Sequence, residues 1–196
     1  MSGYPIPYVT TRTASGERTV DIYSRLLAER IIYLGSTIDD GVANAVIAQL
    51  IHLESDNPDR QIQLYINSPG GSIPAMLAIY DAMQFVKPPV ETVCVGQAAW
   101  TAAVLLAGGA AGSRAILPHG RVVLHQPATQ GRGTIPDLIL EADEVERVRT
   151  MLEDILATHT RKTREQIRED TERDLILAAQ PALDYGVVDA IITRRG

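Results

Sequence analysis

Residues 93–109, Val-Cys-Val-Gly-Gln-Ala-Ala-Trp-Thr-Ala-Ala-Val-Leu-Leu-Ala-Gly-Gly, constrain this chain more than any other stretch. A short β-branched run passes a glycine and becomes an Ala/Leu run of good helix propensity. The stretch reads as strand, tight turn, helix. Such a corner points the first helical side chain into a cleft, beside backbone N–H groups that the helix leaves free. Hydrolases place a nucleophile at corners of this kind. Here the corner carries Trp100, whose indole cannot attack a carbonyl.

Strands and helices alternate on both sides of it. A helix is predicted at 23–30, a strand at 31–34, a helix from 39 or 40 to 55 and a strand at 61–66. The turn Asn67-Ser68-Pro69-Gly70-Gly71-Ser72 opens a helix that Pro88 and Pro89 stop after Val86. Then come a strand at 92–95, a helix at 101–107, short strands at 114–117 and 121–124, and a loop at 126–136. A long helix at 137–159 is followed by a helix at 164–169, a strand at 174–177, a helix at 181–185 and a strand at 187–192. Residues 1–18, with Pro5, Pro7 and Gly16, read as an irregular arm. This alternation predicts an α/β fold with much parallel sheet, and 196 residues suit one domain. In the long helix, Leu138, Val145, Val148, Leu152, Ile155 and Leu156 keep helical spacing, broadened by Ile139, Leu140, Ala142 and Met151. That stripe is wider than an ordinary surface helix needs. Periodicity leaves two readings open: burial against another subunit, or a core helix of this domain.

The net charge of −6 and the absence of a basic run argue against nucleic acid or an anionic membrane as partner. No apolar run reaches the length of a membrane span. The single cysteine, Cys94, falls inside a strand, so a reducing cytoplasm is expected.

Four histidines could carry chemistry: His52, His119, His125 and His159. His125 ends a predicted strand at a sheet rim, where catalytic bases often sit. No His, Cys, Asp or Glu group has metal-ligand spacing, and no cofactor or metal is expected. The Gly70-Gly71 pair could cradle a phosphate, but it lacks the Lys-Ser/Thr end of a P-loop. It could equally present N–H groups to an oxyanion.

Several segments together resemble the proteolytic subunit of the Clp ATP-dependent protease along nearly the whole chain. They are Asp21-Ile22-Tyr23-Ser24-Arg25-Leu26-Leu27, Tyr65-Ile66-Asn67-Ser68-Pro69-Gly70-Gly71, Tyr80-Asp81-Ala82-Met83-Gln84, Gly96-Gln97-Ala98-Ala99, His125-Gln126-Pro127 and Asp170-Thr171-Glu172-Arg173-Asp174. The resemblance implies a crotonase-like α/β fold of repeated β-α units. Residues 1–20 would form an N-terminal axial arm and 21–196 the α/β domain. The handle that stacks the rings would run from about 126 to 159. It also implies two stacked seven-membered rings, homomeric or mixed, that receive unfolded protein substrates from a hexameric Clp unfoldase ATPase, bound mainly by a paralogue ring if the rings are mixed. Tyr4-Pro5-Ile6-Pro7 lies near the family's mature start.

The family's Ser-His-Asp triad maps to Trp100, His125 and Asp174, and its oxyanion-hole amides to Gly71 and Thr101. The nucleophile position is therefore Trp100. Thr101 is the nearest hydroxyl, but one helical step turns its side chain roughly 100° away. The family's ATPase-docking pocket maps to Gln63, Tyr65, Val93, Val95, Ala115, Leu117 and Ile192. Family members commonly have aromatics where this chain has Gln63 and Ala115. The expected function is a structural or regulatory Clp subunit without peptidase activity of its own, beside an active paralogue. The alternatives are an active peptidase, with Thr101 as nucleophile or with Trp100 replacing serine only in this version of the chain, and an acyl-CoA enzyme of the crotonase type.

Overall fold

The computed structural model describes residues 6–13, 16–127 and 133–194. The expectations on residues 1–5 and on the start of the handle at 128–132 lie outside them. Two strands open the chain, β1 (Tyr8–Thr13) and β2 (Gly16–Asp21), paired antiparallel with Tyr8 opposite Asp21. The sequence reading missed this hairpin. Its strands carry Val9, Thr10, Thr19 and Val20, β-branched residues that suit a pleated ribbon. They lack the apolar alternation that a buried face would impose.

Asp21 caps α1 (Ile22–Ala28) by accepting from Ser24 N. Then follow β3 (Ile31–Leu34), α2 (Asp40–Asp56), β4 (Ile62–Ser68), α3 (Ile73–Phe85), β5 (Val90–Ala99) and α4 (Thr101–Ala107). Asp39 and Ser72 cap α2 and α3. Next are β6 (Arg114–Ile116), β7 (Arg121–Leu124), α5 (Ile135–His159), α6 (Arg164–Asp170), β8 (Leu175–Ala178), α7 (Ala179–Tyr185) and β9 (Ala190–Ile191).

Seven strands form one sheet, and β5 is its fork. Its first half pairs parallel with β6 (Thr92 opposite Arg114), and its second half pairs parallel with β7 (Ala99 opposite Val123). On its other side β4 runs parallel to it, with a register shift between Ile66 and Ser68. Gly96 lies at that bulge with φ 128°, where a Cβ would stand 2.7 Å from Asn67 Oδ1. This explains why the expected strand of four residues is a strand of ten. The glycine bends β5 without ending it, and the turn comes later, at Trp100. β3 lies beyond β4 and β9 beyond β6, both parallel; β8 pairs antiparallel with β7.

Every residue of α4 is buried, as an Ala/Leu run without a polar face requires. The core gathers Leu50, Ile62, Leu64, Ile66, Met76, Ile79, Leu105 and Ile116 between the sheet and α2, α3 and α4. The long helix meets the core reading of its stripe over half its length only. Its second half, with Leu152 and Leu156 buried, packs on the domain, while its first turns are exposed along their whole circumference. It starts at Ile135 because Thr134 and Asp137 form a capping box there. No described helix is long and apolar enough to cross a membrane.

Candidate active site

The site is built at the joint of β5 and α4. Trp100 holds φ 54°, ψ −114°, and only one other described non-glycine residue, Arg30, has positive φ. Such a conformation costs about 1–3 kcal/mol and persists where its surroundings fix it. Here Trp100 N donates to Val123 O on β7 (2.7 Å), and Ala103 N donates to Trp100 O (3.0 Å). The corner thus keeps the strained turn that presents a side chain into a cleft, and it presents an indole.

That indole lies flat on His125, with ring centroids 5.0 Å apart and planes 16° from parallel. Its Nε1 is buried and finds no hydrogen-bond partner among the described residues. A small cavity of about 20 Å³ remains beside it, roofed by Leu152 and Leu156 of α5. That cavity has room for about one water.

His125 follows directly on β7. Its Nδ1 is 2.5 Å from Gln126 O. A carbonyl can only accept, so the proton belongs on Nδ1 and the Nε2 lone pair is left for other work. Asp174 precedes β8. The β7–β8 ladder ends with Leu124 opposite Leu175, so the next step sets His125 across from Asp174. The two do not meet: Asp174 is exposed and makes no hydrogen bond or ion pair with His125. Past Leu124 the chain turns toward the end of α6 instead. Gln126 N donates to Thr171 O (3.2 Å), and Gln126 Nε2 donates to Glu172 O (3.0 Å).

Gly71 and Thr101 do meet. Gly71 N donates to Thr101 Oγ1 at 2.8 Å, so the threonine hydroxyl lies against the β4–α3 turn, and no hydrogen bond joins it to His125. Gly70, at φ 91°, lies just before; a Cβ there would stand 2.6 Å from Ala99 O. The glycine pair is therefore a close fit against the corner. From the other side, Ile38 N donates to Gly70 O (3.0 Å), and Ser72 N donates to Ile38 O (2.8 Å).

Gln63, Tyr65, Val93, Ala115 and Ile192 line one open pocket of about 420 Å³ on a face of the sheet. Val95 and Leu117 lie next to it along β5 and past β6, outside its lining. Sequence reasoning overlooked Glu91 and Arg194, which also line it. Gln63 Nε2 donates to Glu91 Oε2 (3.1 Å). The parallel register sets Gln63 beside Glu91 and Tyr65 beside Val93, so only a register between two strands far apart in sequence would have revealed the pair. Among the described residues no group of His, Cys, Asp or Glu is placed to hold a metal ion.

Residues 14–195 match the protein family described as Clp protease. The chain is 59% identical to the ATP-dependent Clp protease proteolytic subunit 1 of Nocardia farcinica, with both chains covered completely. It is 58% identical to proteolytic subunit 4 of Rhodococcus jostii, over 98% of this chain and 99% of that one. It is 56% identical to proteolytic subunit 2 of Streptomyces avermitilis, over 100% of this chain and 98% of that one.

Proposed function

Because this chain belongs to the Clp protease family as a proteolytic-subunit homologue, we propose that it serves as a structural or regulatory subunit with no peptidase activity of its own. One observation carries the reading: the side chain at the strained corner is an indole stacked on the would-be base. Serine attack needs an oxygen within reach of His125 and a vacant place for the scissile carbonyl. Trp100 supplies no oxygen and fills the place. Without a triad member, at most ~10³–10⁴-fold catalysis over water survives, from the oxyanion hole and binding.

The subunit would assemble into seven-membered rings, stacked in pairs and homomeric or mixed with an active paralogue. Unfolded protein would enter the chamber under the drive of a hexameric Clp ATPase. Thr101 is a poor substitute nucleophile, because its hydroxyl is buried against Gly71. The docking pocket, with Gln63 and Ala115 in place of aromatic walls and a Gln63–Glu91 hydrogen bond across it, would hold an apolar ATPase loop weakly.

A small fluorogenic peptide and a serine-directed fluorophosphonate test the reading. The purified chain should neither cleave nor label, and mixing with its paralogue should yield mixed rings in which only the paralogue labels. Labelling of this chain that Thr101→Ala abolishes would make it an active threonine enzyme and overturn the proposal.

A further inference from the structure

We infer that Thr101 is a second lock on this site, closing the oxyanion hole from inside independently of Trp100. This rests on the reading of the Gly71 and Thr101 amides as the oxyanion donors. An oxyanion-hole donor works when it stands 2.7–3.1 Å from the oxygen that becomes negative. The Gly71 N–H already has an oxygen at that range, Thr101 Oγ1 at 2.8 Å.

The occupant is well held. Thr101 is fully buried, so its hydroxyl cannot exchange this contact for bulk water. Its β-branched side chain has few rotamers in a helix. Its own proton is donated to Gly71 O at 3.5 Å, so rotation away would strand a buried hydroxyl. The turn cannot withdraw either: Ile38 backs it through both of its main-chain hydrogen bonds, and a Cβ on Gly71 would fall 2.1 Å from Ile38 O.

The consequence shows in the reaction that a serine at position 100 would run. The serine oxygen bonds to the scissile carbonyl carbon, its proton passes to His125 Nε2, and the carbonyl π pair moves onto oxygen. That oxygen needs the Gly71 N–H and finds Thr101 Oγ1 in its place. Loss of one such donor lowers kcat about 10²–10³-fold. Replacing Trp100 alone therefore leaves a crippled enzyme.

The test compares Trp100→Ser with Trp100→Ser/Thr101→Ala and Trp100→Ser/Thr101→Ser by peptide hydrolysis. Alongside, hydrogen–deuterium exchange at Gly71 is followed in the otherwise unmodified chain carrying Thr101→Ala or Thr101→Ser. The alanine double variant should turn over about 10²–10³-fold faster than Trp100→Ser, and the variant that keeps a hydroxyl should not. Gly71 should exchange faster with Thr101→Ala but not with Thr101→Ser. If Trp100→Ser and the alanine double variant are active and equally fast, Thr101 is no lock, while the reading of the retained site stands. If all remain at background and Gly71 exchange is unchanged, the inference falls. Faster Gly71 exchange without hydrolysis would uphold the occupied N–H and sink the retained-site reading instead.

Discussion

At the residue scale, Trp100 sets two requirements against each other. Its φ of 54° favours glycine, while the stack on His125 favours a large flat side chain. Truncation separates them. Trp100→Ala loses the stack and keeps the strain, which costs about 1–3 kcal/mol. Trp100→Gly loses the stack and relieves the strain, against an unfolded-state penalty of about 0.5–1 kcal/mol. The glycine variant should therefore unfold at a denaturant concentration no lower than the alanine variant. Alanine winning by about 1 kcal/mol, as at an ordinary helix position, would mean that the corner relaxes once the indole is gone. The position of Trp100 was legible in the sequence, since a β-branched run becomes an Ala/Leu run around it. The bond between Thr101 and Gly71 was not. It joins residues 30 apart through the orientation of one hydroxyl, and spacing says nothing of that.

At the element scale, alternation and caps carried most of what the sequence revealed. Asp39, Ser72 and Pro88 mark helix ends by chemistry that acts within three or four residues. The β1–β2 hairpin and the long reach of β5 escaped notice because both depend on a partner strand. Helix α5 is tied to α6 by a charge cluster that local reading could not assemble either. Glu153, 3% exposed, accepts from Arg149 Nε (2.8 Å) and from Arg168 Nε (3.0 Å). Stripping a buried carboxylate from such a cluster is strongly destabilising. Because Arg168 reaches solvent, we expect about 2–3 kcal/mol for Glu153→Ala and no measurable change for Glu144→Ala, whose pair with Arg147 is exposed. Urea denaturation of both variants checks the contrast.

The last residue of α5 brings a pH dependence. Burial, and secondarily the Arg114 charge, lower the His159 pKa, and Tyr80 Oη lies 2.7 Å from its Nε2. The folded state thus holds the neutral ring, while the unfolded chain takes up a proton as pH falls through about 6.5. Stability is complete above that value and declines below it. Asp189, whose pKa is lowered chiefly by its hydrogen bond from Arg114, loses its contribution only below about pH 4, so the two effects separate. Thermal melts at pH 7.5 and 5.0 should show a drop that His159→Gln reduces; an equal drop in that variant would place the titrating group elsewhere.

At the scale of the whole molecule, two surfaces carry the contacts proposed for the subunit. The sheet-face pocket tests the docking proposal. Gln63→Tyr with Ala115→Phe adds aromatic walls and removes the Gln63–Glu91 hydrogen bond. If each wall contributes about 1 kcal/mol, affinity for an apolar loop peptide should rise more than tenfold in fluorescence anisotropy. Tight binding by the unmodified chain would show that the pocket was wrongly mapped.

The other surface is the projecting half of α5. Ile135, Leu138, Ile139 and Ala142 follow i, i+3, i+4, i+7 spacing, so they form one stripe. Ile135 is 75% exposed and Ile139 57%, in a helix whose other half is firmly packed. A large aliphatic side chain gains about 1.5–3 kcal/mol on full burial, and the stripe repeats in every subunit of a ring. Several such side chains per copy would outweigh the association cost that a lone pair of subunits meets. We therefore expect light scattering to find an oligomer at micromolar concentration, of a mass consistent with stacked seven-membered rings. Ile135→Asp with Ile139→Glu should halve that mass and leave the circular dichroism of the domain intact, because neither residue belongs to the core. A stable monomer of the unmodified chain, or a double variant of unchanged mass, would remove α5 from the assembly. The exposed stripe would then need another partner.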